Sequence, residues 1–173
     1  MWRQMTAGDL AAVVALADRI HPDHPERPEV FAERLRLFPD GCRVAVRGVG
    51  EAVGYAIAHP GVVGMPPVLD TLLVTLPKAP DCLYVHDVAL LRQARGRGLL
   101  TRLLPPLLAL AEANGLARLA LVAVNGTEPV WRRLGFLPWR GSAAVRGKLA
   151  SYGGKAVYMT RPAAPSAASG AGE

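Results

Sequence analysis

"LYVHDVALLRQARGRGLLTRLLPPLLALAEANG", residues 83–115, is the most informative segment for predicting the fold of this chain. The first nine residues, 83–91, are almost continuously apolar, which is typical of a strand buried on both faces of a sheet. The next seven, 92–98, carry three arginines and two glycines. An apolar segment then runs to an Asn-Gly pair, a common helix stop, and predicts a helix over about 97–114. This order of strand, glycine loop and helix predicts an α/β (α+β) protein.

The glycine loop is the first candidate binding site. Gly96 and Gly98 permit a tight turn and let backbone N–H groups approach a ligand closely. The helix that follows directs its first free N–H groups and its positive dipole end to the same place, which suits a phosphate or pyrophosphate. A nucleic-acid surface is the alternative for a chain of net charge +6. The arginines are scattered from Arg3 to Arg161 without interleaved aromatic residues, so no nucleic-acid partner is expected.

The composition is that of a globular domain. The chain has 173 residues, of which 51% are hydrophobic, enough to bury one core. No apolar window has the length of a membrane span, and the start lacks the apolar core of a signal peptide, so we expect a cytoplasmic protein with no membrane partner. Cys42 and Cys82 each begin an apolar run and are expected to be core residues rather than a disulfide or a catalytic thiol. Residues 162–173 lack large apolar side chains, which predicts a disordered tail after a domain at 1–161.

Shorter patterns predict the remaining elements. Alternating or apolar runs indicate strands, and apolar residues spaced by three or four indicate helices. Pro105 and Pro106 interrupt the long helix, so we expect a kink or a break there. The other predicted elements are a strand at 2–5, helices at 6–20 and 30–39, a hairpin at 42–60, a strand at 116–125, a short helix at 128–134, and two final strands at 136–147 and 155–162.

Several short motifs occur in an order that resembles one family. Gln93, Gly96 and Gly98 match motif A of the GCN5-related N-acetyltransferase (GNAT) superfamily, in which glutamine or arginine precedes two spaced glycines. "DVALL" before this loop resembles the family's fourth strand, and "LVAVNG", with Asn125, resembles its fifth. "WRRLGF", which begins at Trp131, resembles the family's YxxxGF signature. The resemblance extends over nearly the whole predicted domain.

The resemblance implies a fold and a co-substrate. The implied GNAT fold has a mixed central sheet of six or seven strands, with the fourth and fifth splayed apart, and about four flanking helices. Acetyl-CoA lies in the gap between the splayed strands. Its pantetheine is implied to pair with backbone groups near Val88, Ala89 and Leu90, and its pyrophosphate to sit on the amides of Arg95 to Leu99. The other residues implied to line the CoA site are Gln93, Arg95, Gly96, Arg97, Gly98, Leu99, Asn125 and Trp131.

The implied reaction is direct attack of an amine on the thioester in a ternary complex. Asp87 is the expected general base, directly or through a water, because it interrupts an apolar strand three residues before Leu90, whose amide would stabilise the oxyanion. His86 is the alternative base, and strand alternation directs it to the opposite face. The family's usual acid is the tyrosine of YxxxGF. Trp131 stands at that position and cannot protonate a thiolate, so Tyr152 is the candidate substitute.

Two functions remain open on the sequence. The first is an enzyme, a monomer or homodimer, that acetylates a small-molecule or peptide amine. The second is a catalytically weak acyl-CoA sensor, which the tryptophan at position 131 favours. His21 and His24 lie in a proline-rich turn and are expected to contact the acceptor rather than to bind a metal; no metal is expected.

Overall fold

Seven strands form one mixed sheet in the computed structural model of the chain, which describes residues 1–141, 143–153 and 155–164. In chain order the strands are β1 (Trp2–Gln4), β2 (Cys42–Arg47), β3 (Glu51–Gly61), β4 (Cys82–Leu90), β5 (Arg118–Ala123), β6 (Leu137–Pro138) and β7 (Val157–Pro162). Their order across the sheet is β1-β2-β3-β4-β5-β7-β6, with β4 parallel to β5 and the other described pairs antiparallel. The α-helices in the described residues are α1 (Leu10–Ile20), α2 (Pro28–Leu37), α3 (Leu99–Ala113), α4 (Glu128–Arg133) and α5 (Ala143–Leu149).

The two faces of the sheet carry separate apolar cores. On one face, α1 and α2 place Val13 and Phe31 against Tyr55 of β3. On the other face, α3 places Leu103 and Leu107, one helical turn apart, against β4 and β5. Each such side chain contributes roughly 1.5–3 kcal/mol when it leaves water. Both sides of β4 are therefore covered, as its continuously apolar sequence predicts.

The strands β4 and β5 separate along their length. They pair in parallel from Cys82 to Val85 on β4, opposite 118–121 on β5. Beyond this point β4 continues to Leu90, where it pairs with β3 alone. The splayed fourth and fifth strands that the family resemblance implies are thus confirmed, and a gap opens beside residues 86–90.

Most predicted elements occur within a few residues of their expected positions. The long helix runs unbroken from Leu99 to Ala113 through Pro105 and Pro106. Each proline removes an amide donor at a cost of roughly 3 kcal/mol, and the buried leucine face of the helix offsets this cost.

The predicted strand over 136–147 is largely wrong. Only Leu137 and Pro138 pair with β7, and Ala143–Leu149 forms α5. Proline and glycine end the short strand, and the next residues are mostly strong helix formers (Ala, Arg, Lys, Leu).

The packed chain also extends beyond 161. The strand β7 includes Pro162, and buried Ala163 donates its amide to the Ala117 carbonyl at 3.0 Å. The rest of the predicted tail, from 165 on, lies outside the described residues.

Candidate functional site

The open edge of β4 is the first part of the candidate site. The Leu91 amide donates to the Val53 carbonyl on β3 at 2.9 Å. Hydrogen-bonded positions alternate along an antiparallel pair, so the backbone groups of Leu90 and Val88 point away from β3 and into the gap. Those of Ala89 turn back towards β3. Two of the three backbone positions that the resemblance implies are therefore available to a ligand lying beside β4.

The loop between β4 and α3 is the second part. Gly96 and Gly98 have φ values of +71° and +66°, in the left-handed region that glycine adopts without penalty. The amides of residues 96–101, all within the described chain, donate to no other backbone group. The 15-residue helix α3 starts at Leu99 and adds the positive end of its dipole. The predicted anion cradle is thus a run of free amides at a helix N-terminus.

Two arginines brace this loop. The Arg95 amide donates to the Arg92 carbonyl at 3.3 Å, so the free amides begin at Gly96 rather than at Arg95. The Arg95 Nε donates to the Leu90 carbonyl at 3.0 Å, and the Arg97 Nε donates to the Gln93 carbonyl at 3.1 Å. Both arginines are exposed, which leaves further guanidinium N–H groups for an anion.

His86 and Asp87 face the same side of the sheet, contrary to the expectation of opposite directions. The register shifts between Ile57, opposite Asp87, and Ala58, opposite Val85. His86 is the unpaired extra residue of this bulge, and a bulge interrupts the alternation of side chains. Both side chains consequently meet the segment that joins α1 to α2.

Two groups hold the Asp87 carboxylate. The Tyr55 hydroxyl donates to one oxygen, and His21 Nε2 lies 3.3 Å from the other. Burial disfavours the charged imidazole, but the adjacent carboxylate of Asp87, together with the charge of Glu26, outweighs burial and raises the pKa of His21. The side chains of Asp87 and His21 are each 20% exposed, so this imidazole–carboxylate pair reaches the surface of the site.

His86 forms a second imidazole–carboxylate pair, with Glu26. His86 Nε2 lies 3.0 Å from Glu26 Oε2, and the two side chains are 2% and 6% exposed. Burial opposes ionisation of Glu26, but the charge of His86 and its hydrogen bond outweigh this, so the pKa of Glu26 is lowered. This pair is the deeper of the two, and Asp87 is nearer to solvent than the alternative base His86.

The long connection from β3 to β4 is fastened to α2 and forms one wall of the site. The Arg27 Nε donates to both oxygens of Asp70, at 3.0 and 3.2 Å. Fully buried Arg34 lies 2.5 Å from Glu33 and donates to the Thr71 carbonyl at 2.8 Å. These contacts hold the part of the β3–β4 connection around Asp70 and Thr71, which has no regular secondary structure. The buried Arg34 needs Glu33 and the Thr71 carbonyl as partners, because a buried charge is stable only when it is paired.

Tyr152 lies where this wall meets the turn after α5. Its hydroxyl donates to the Pro67 carbonyl at 2.6 Å, and its own carbonyl lies 3.1 Å from His24 Nε2. Burial raises the pKa of Tyr152. The structure therefore brings Tyr152 to the same loop cluster as His21, with its hydroxyl proton engaged by a carbonyl.

Asn125 and Trp131 lie on the other side of the gap, after β5. Asn125 is exposed in the turn between β5 and α4, with a φ of +51°. Trp131 is half-buried, and its ring meets the edge of Phe136 with centroids 5.4 Å apart. The YxxxGF-like segment thus anchors α4 to the α3-side core by aromatic packing.

Six buried side-chain atoms have no hydrogen-bond partner within the described chain: the His21 Nε2, the Arg34 Nε, the Arg43 Nε, the His59 Nε2, the Tyr84 hydroxyl and the His86 Nδ1. His59, Tyr84 and His86 form one cluster. The His59 ring lies 5.5 Å from the Tyr84 ring and 6.0 Å from the His86 ring between centroids. Burial, with the charge of His86, lowers the pKa of His59 to about 3. His59 is therefore neutral in the folded protein over the ordinary pH range.

A pH dependence of stability follows from His59. Below pH 6.5 the unfolded chain binds a proton on this residue that the folded protein does not. We expect this group to lower the free energy of unfolding by about 1 kcal/mol for each pH unit from 6.5 towards 3. Urea unfolding of the wild type and of His59→Phe at pH 7, 6 and 5 measures the effect. Equal slopes for the two proteins would contradict it.

The two cysteines are not candidates for nucleophilic catalysis. Both are free and buried, and burial raises the pKa of each thiol to about 12. No cluster of three or more metal-ligating side chains occurs in the described residues. None of the helices described is both long enough and apolar enough to cross a membrane.

The comparison with known families defines the class of this protein. Residues 10–136 match the Acetyltransferase (GNAT) family, and this match includes α1, the gap beside β4, the glycine loop and Trp131. The chain belongs to the GNAT family. No curated protein sequence matches it significantly.

Solved structures share the fold at low sequence identity. The GNAT-like decarboxylase GphF, in complex with isobutyryl-CoA, is 17% identical with a TM-score of 0.75, over 95% of this chain and 100% of that one. N-acetylglutamate synthase from Neisseria gonorrhoeae, with coenzyme A and N-acetyl-glutamate, is 19% identical with a TM-score of 0.70, over 95% of this chain and 35% of that one. The NatB acetyltransferase complex with a bisubstrate inhibitor is 19% identical with a TM-score of 0.64, over 94% and 89%.

Two members of the site, Tyr55 and Glu26, were not predicted from the sequence. Tyr55 is one of the aromatic residues of β3, and Glu26 stands in a proline-rich turn. The sequence held a weak indication for Glu26, because prolines on either side restrict the backbone of the turn and so hold its carboxylate in place. Nothing local distinguished Tyr55 from an ordinary core tyrosine.

Proposed function

We propose that this protein is an acetyl-CoA-dependent N-acyltransferase that moves an acetyl group to a primary amine within a ternary complex. One observation carries the proposal. The gap beside β4 extends from a run of free amides at the start of α3 to the Asp87 carboxylate on β4. The first end suits the phosphates of a CoA ester, and the second suits the removal of a proton.

The residues have distinct roles in this proposal. Gly96, Gly98 and Leu99 hold the pyrophosphate through their amides, and Arg97 adds positive charge. The amides of Val88 and Leu90 face the gap, where the pantetheine and the thioester carbonyl would lie. The Leu90 amide then stabilises the negative charge that develops on the carbonyl oxygen as the amine attacks.

Asp87 supports the amine in the same step. An amine is protonated at neutral pH and must lose a proton to become a nucleophile. Asp87 lies three residues before Leu90 on β4, so a single strand carries both the oxyanion donor and a carboxylate that assists the removal of this proton. The acceptor would enter between the α1–α2 turn and the β3–β4 connection, which are tied together at Arg27 and Asp70.

Binding and turnover test the proposal separately. Calorimetric titration with acetyl-CoA, propionyl-CoA and free CoA is expected to show saturable one-to-one binding. A panel of small-molecule and peptide amines, followed by release of free thiol, is expected to show amine-dependent turnover. Binding without turnover on any amine would contradict the transferase proposal and favour an acyl-CoA sensor. No binding at millimolar ligand would contradict both.

A second candidate is the decarboxylation of an acyl-CoA that carries a carboxylate on its acyl chain. It is favoured by two imidazole–carboxylate pairs beside the gap, since protonated imidazoles can return a proton to the product carbanion. The similarity to the GphF decarboxylase, at a TM-score of 0.75, adds support. Malonyl-CoA without amine separates the two candidates, because only a decarboxylase releases carbon dioxide with the thioester intact.

A further inference from the structure

We propose that His21 accepts the proton of the acceptor amine and that Asp87 orients the His21 imidazole instead of accepting the proton itself. This inference rests on the proposed transferase function and identifies the group that completes its proton transfer. Its basis is the contact between the end of α1 and the bulge of β4.

The contacts of Asp87 argue against a direct role as base. One carboxylate oxygen accepts the Tyr55 hydroxyl, and the other lies 3.3 Å from His21 Nε2. The carboxylate thus faces the imidazole as an ion-pair partner while its other oxygen is held by Tyr55, an arrangement that can orient the imidazole as in an Asp–His pair. An incoming amine would have to displace one of these partners to reach it.

The backbone holds His21 at the end of α1. Its amide donates to the Ala17 carbonyl at 2.8 Å, and residue 21 is the C-cap of the helix. The Nε2 atom is buried against Asp87, whereas one-fifth of the side chain is exposed. Nδ1 has no hydrogen-bond partner in the described part of the chain. A proton on Nε2 facing Asp87 therefore leaves the lone pair of Nδ1 to accept a proton from outside.

Several charges surround the imidazole. Asp87 on β4 and Glu26 on the same turn favour its protonated form, and Arg95 on the glycine loop opposes it. Tyr55 on β3 contacts the imidazole's partner Asp87. The two carboxylates together outweigh burial and the charge of Arg95, so the pKa of His21 is raised and His21 is a stronger base than an isolated histidine.

The proton and electron balance is simple. Nδ1 of His21 takes one proton from the ammonium and releases it to solvent, and the neutral amine nitrogen then forms a C–N bond to the thioester carbon. Nδ1 takes the second proton from this nitrogen in the tetrahedral intermediate, and the C–S bond breaks with its electron pair going to sulfur. The histidinium returns this proton to the thiolate, so the products are the amide, the free thiol of CoA and one proton in solvent. No oxidant or other reactant is needed.

The test is the pH dependence of kcat/KM for the wild type, His21→Gln and Asp87→Asn, with the best amine from the panel. For the wild type, kcat/KM is expected to fall at acid pH as His21 becomes protonated. His21→Gln is expected to lose about 100-fold in kcat/KM, with unchanged acetyl-CoA affinity. It is also expected to lose the fall of kcat/KM at acid pH, which is the acid limb of the pH profile. In Asp87→Asn the limb is expected to shift to lower pH, because the carboxylate that raises the His21 pKa is gone. Arg19→Gln, an exposed position in the last turn of α1, is the control variant and should retain the acid limb.

Each outcome decides one claim. If His21→Gln keeps the wild-type limb and rate, His21 is not the base. If Asp87→Asn removes the limb outright while His21→Gln keeps it, Asp87 accepts the proton directly and the inference is overturned. If His21→Ala recovers activity with added imidazole, the role of the imidazole is supported. A wild type that turns over no amine overturns the proposed transferase function, and the proton-transfer role of His21 with it.

Discussion

Gly98→Glu is expected to lower the affinity for acetyl-CoA at least 100-fold. Gly98 is the N-cap of α3, and its amide lies in the run of free N–H groups that would hold the pyrophosphate. A glutamate there places bulk and negative charge among these groups, and a 100-fold loss corresponds to about 3 kcal/mol. Calorimetric titration with acetyl-CoA measures the effect.

Gly115 offers a matched control for this variant. It follows the other end of the same helix and has the same φ, +66°, as Gly98. A side chain at either position costs roughly 1–2 kcal/mol of backbone strain. Gly115→Glu carries the same strain and charge away from the cradle and is expected to keep wild-type affinity. If a folded Gly98→Glu binds as well as Gly115→Glu, the amides at the start of α3 do not hold the ligand.

Asp87→Asn is expected to lower turnover about 100- to 1,000-fold, within the usual range for loss of acid–base catalysis. Asparagine keeps the shape of the side chain and still accepts the Tyr55 hydroxyl, but it removes the negative charge beside His21. Acetyl-CoA affinity is expected to stay within about three-fold, because the side chain of Asp87 contacts Tyr55 and His21 and not the residues of the glycine loop. Steady-state kinetics and titration of the same preparation separate the two quantities.

Asp40→Asn is the corresponding control. Asp40 is an exposed carboxylate before β2, and its side chain accepts only a long 3.3 Å hydrogen bond from Gln4. The same chemical change there is expected to leave turnover unchanged. Wild-type turnover of Asp87→Asn at every pH would exclude Asp87 from proton transfer in any role, direct or indirect.

The glycine loop is the part of the candidate site that could be predicted from the sequence. Gly96 and Gly98 are two residues apart, a short 3₁₀ turn at Arg92–Ala94 joins them to the strand, and the helix follows directly at Leu99. The backbone conformation, the free amides and the helix dipole are all local consequences of this order. The Arg95 amide differs from the expectation, since it closes a short turn onto Arg92 and is not free.

The bulge in β4 explains why the side-chain directions of His86 and Asp87 could not be predicted from the sequence. The neighbours His86 and Asp87 were expected on opposite faces, because an unbroken strand alternates. The bulge depends on how β3 and β4 align across the sheet, and no residue on β4 alone reports that alignment. The same limit explains the error at 136–147, where the local apolar pattern permitted a strand but pairing with β7 stopped after two residues.

Most of the element order, the covered central strand and the glycine loop before α3 were predictable from the sequence, because each depends on residues close together in the chain. Tertiary structure alone decided which side chains act together. His86 meets Glu26 across 60 residues of sequence, and Asp87 meets His21 and Tyr55 from two other elements. Such pairings arise because α1, α2 and β4 pack on one another, and burial then makes each charged group depend on the partner that packing supplies.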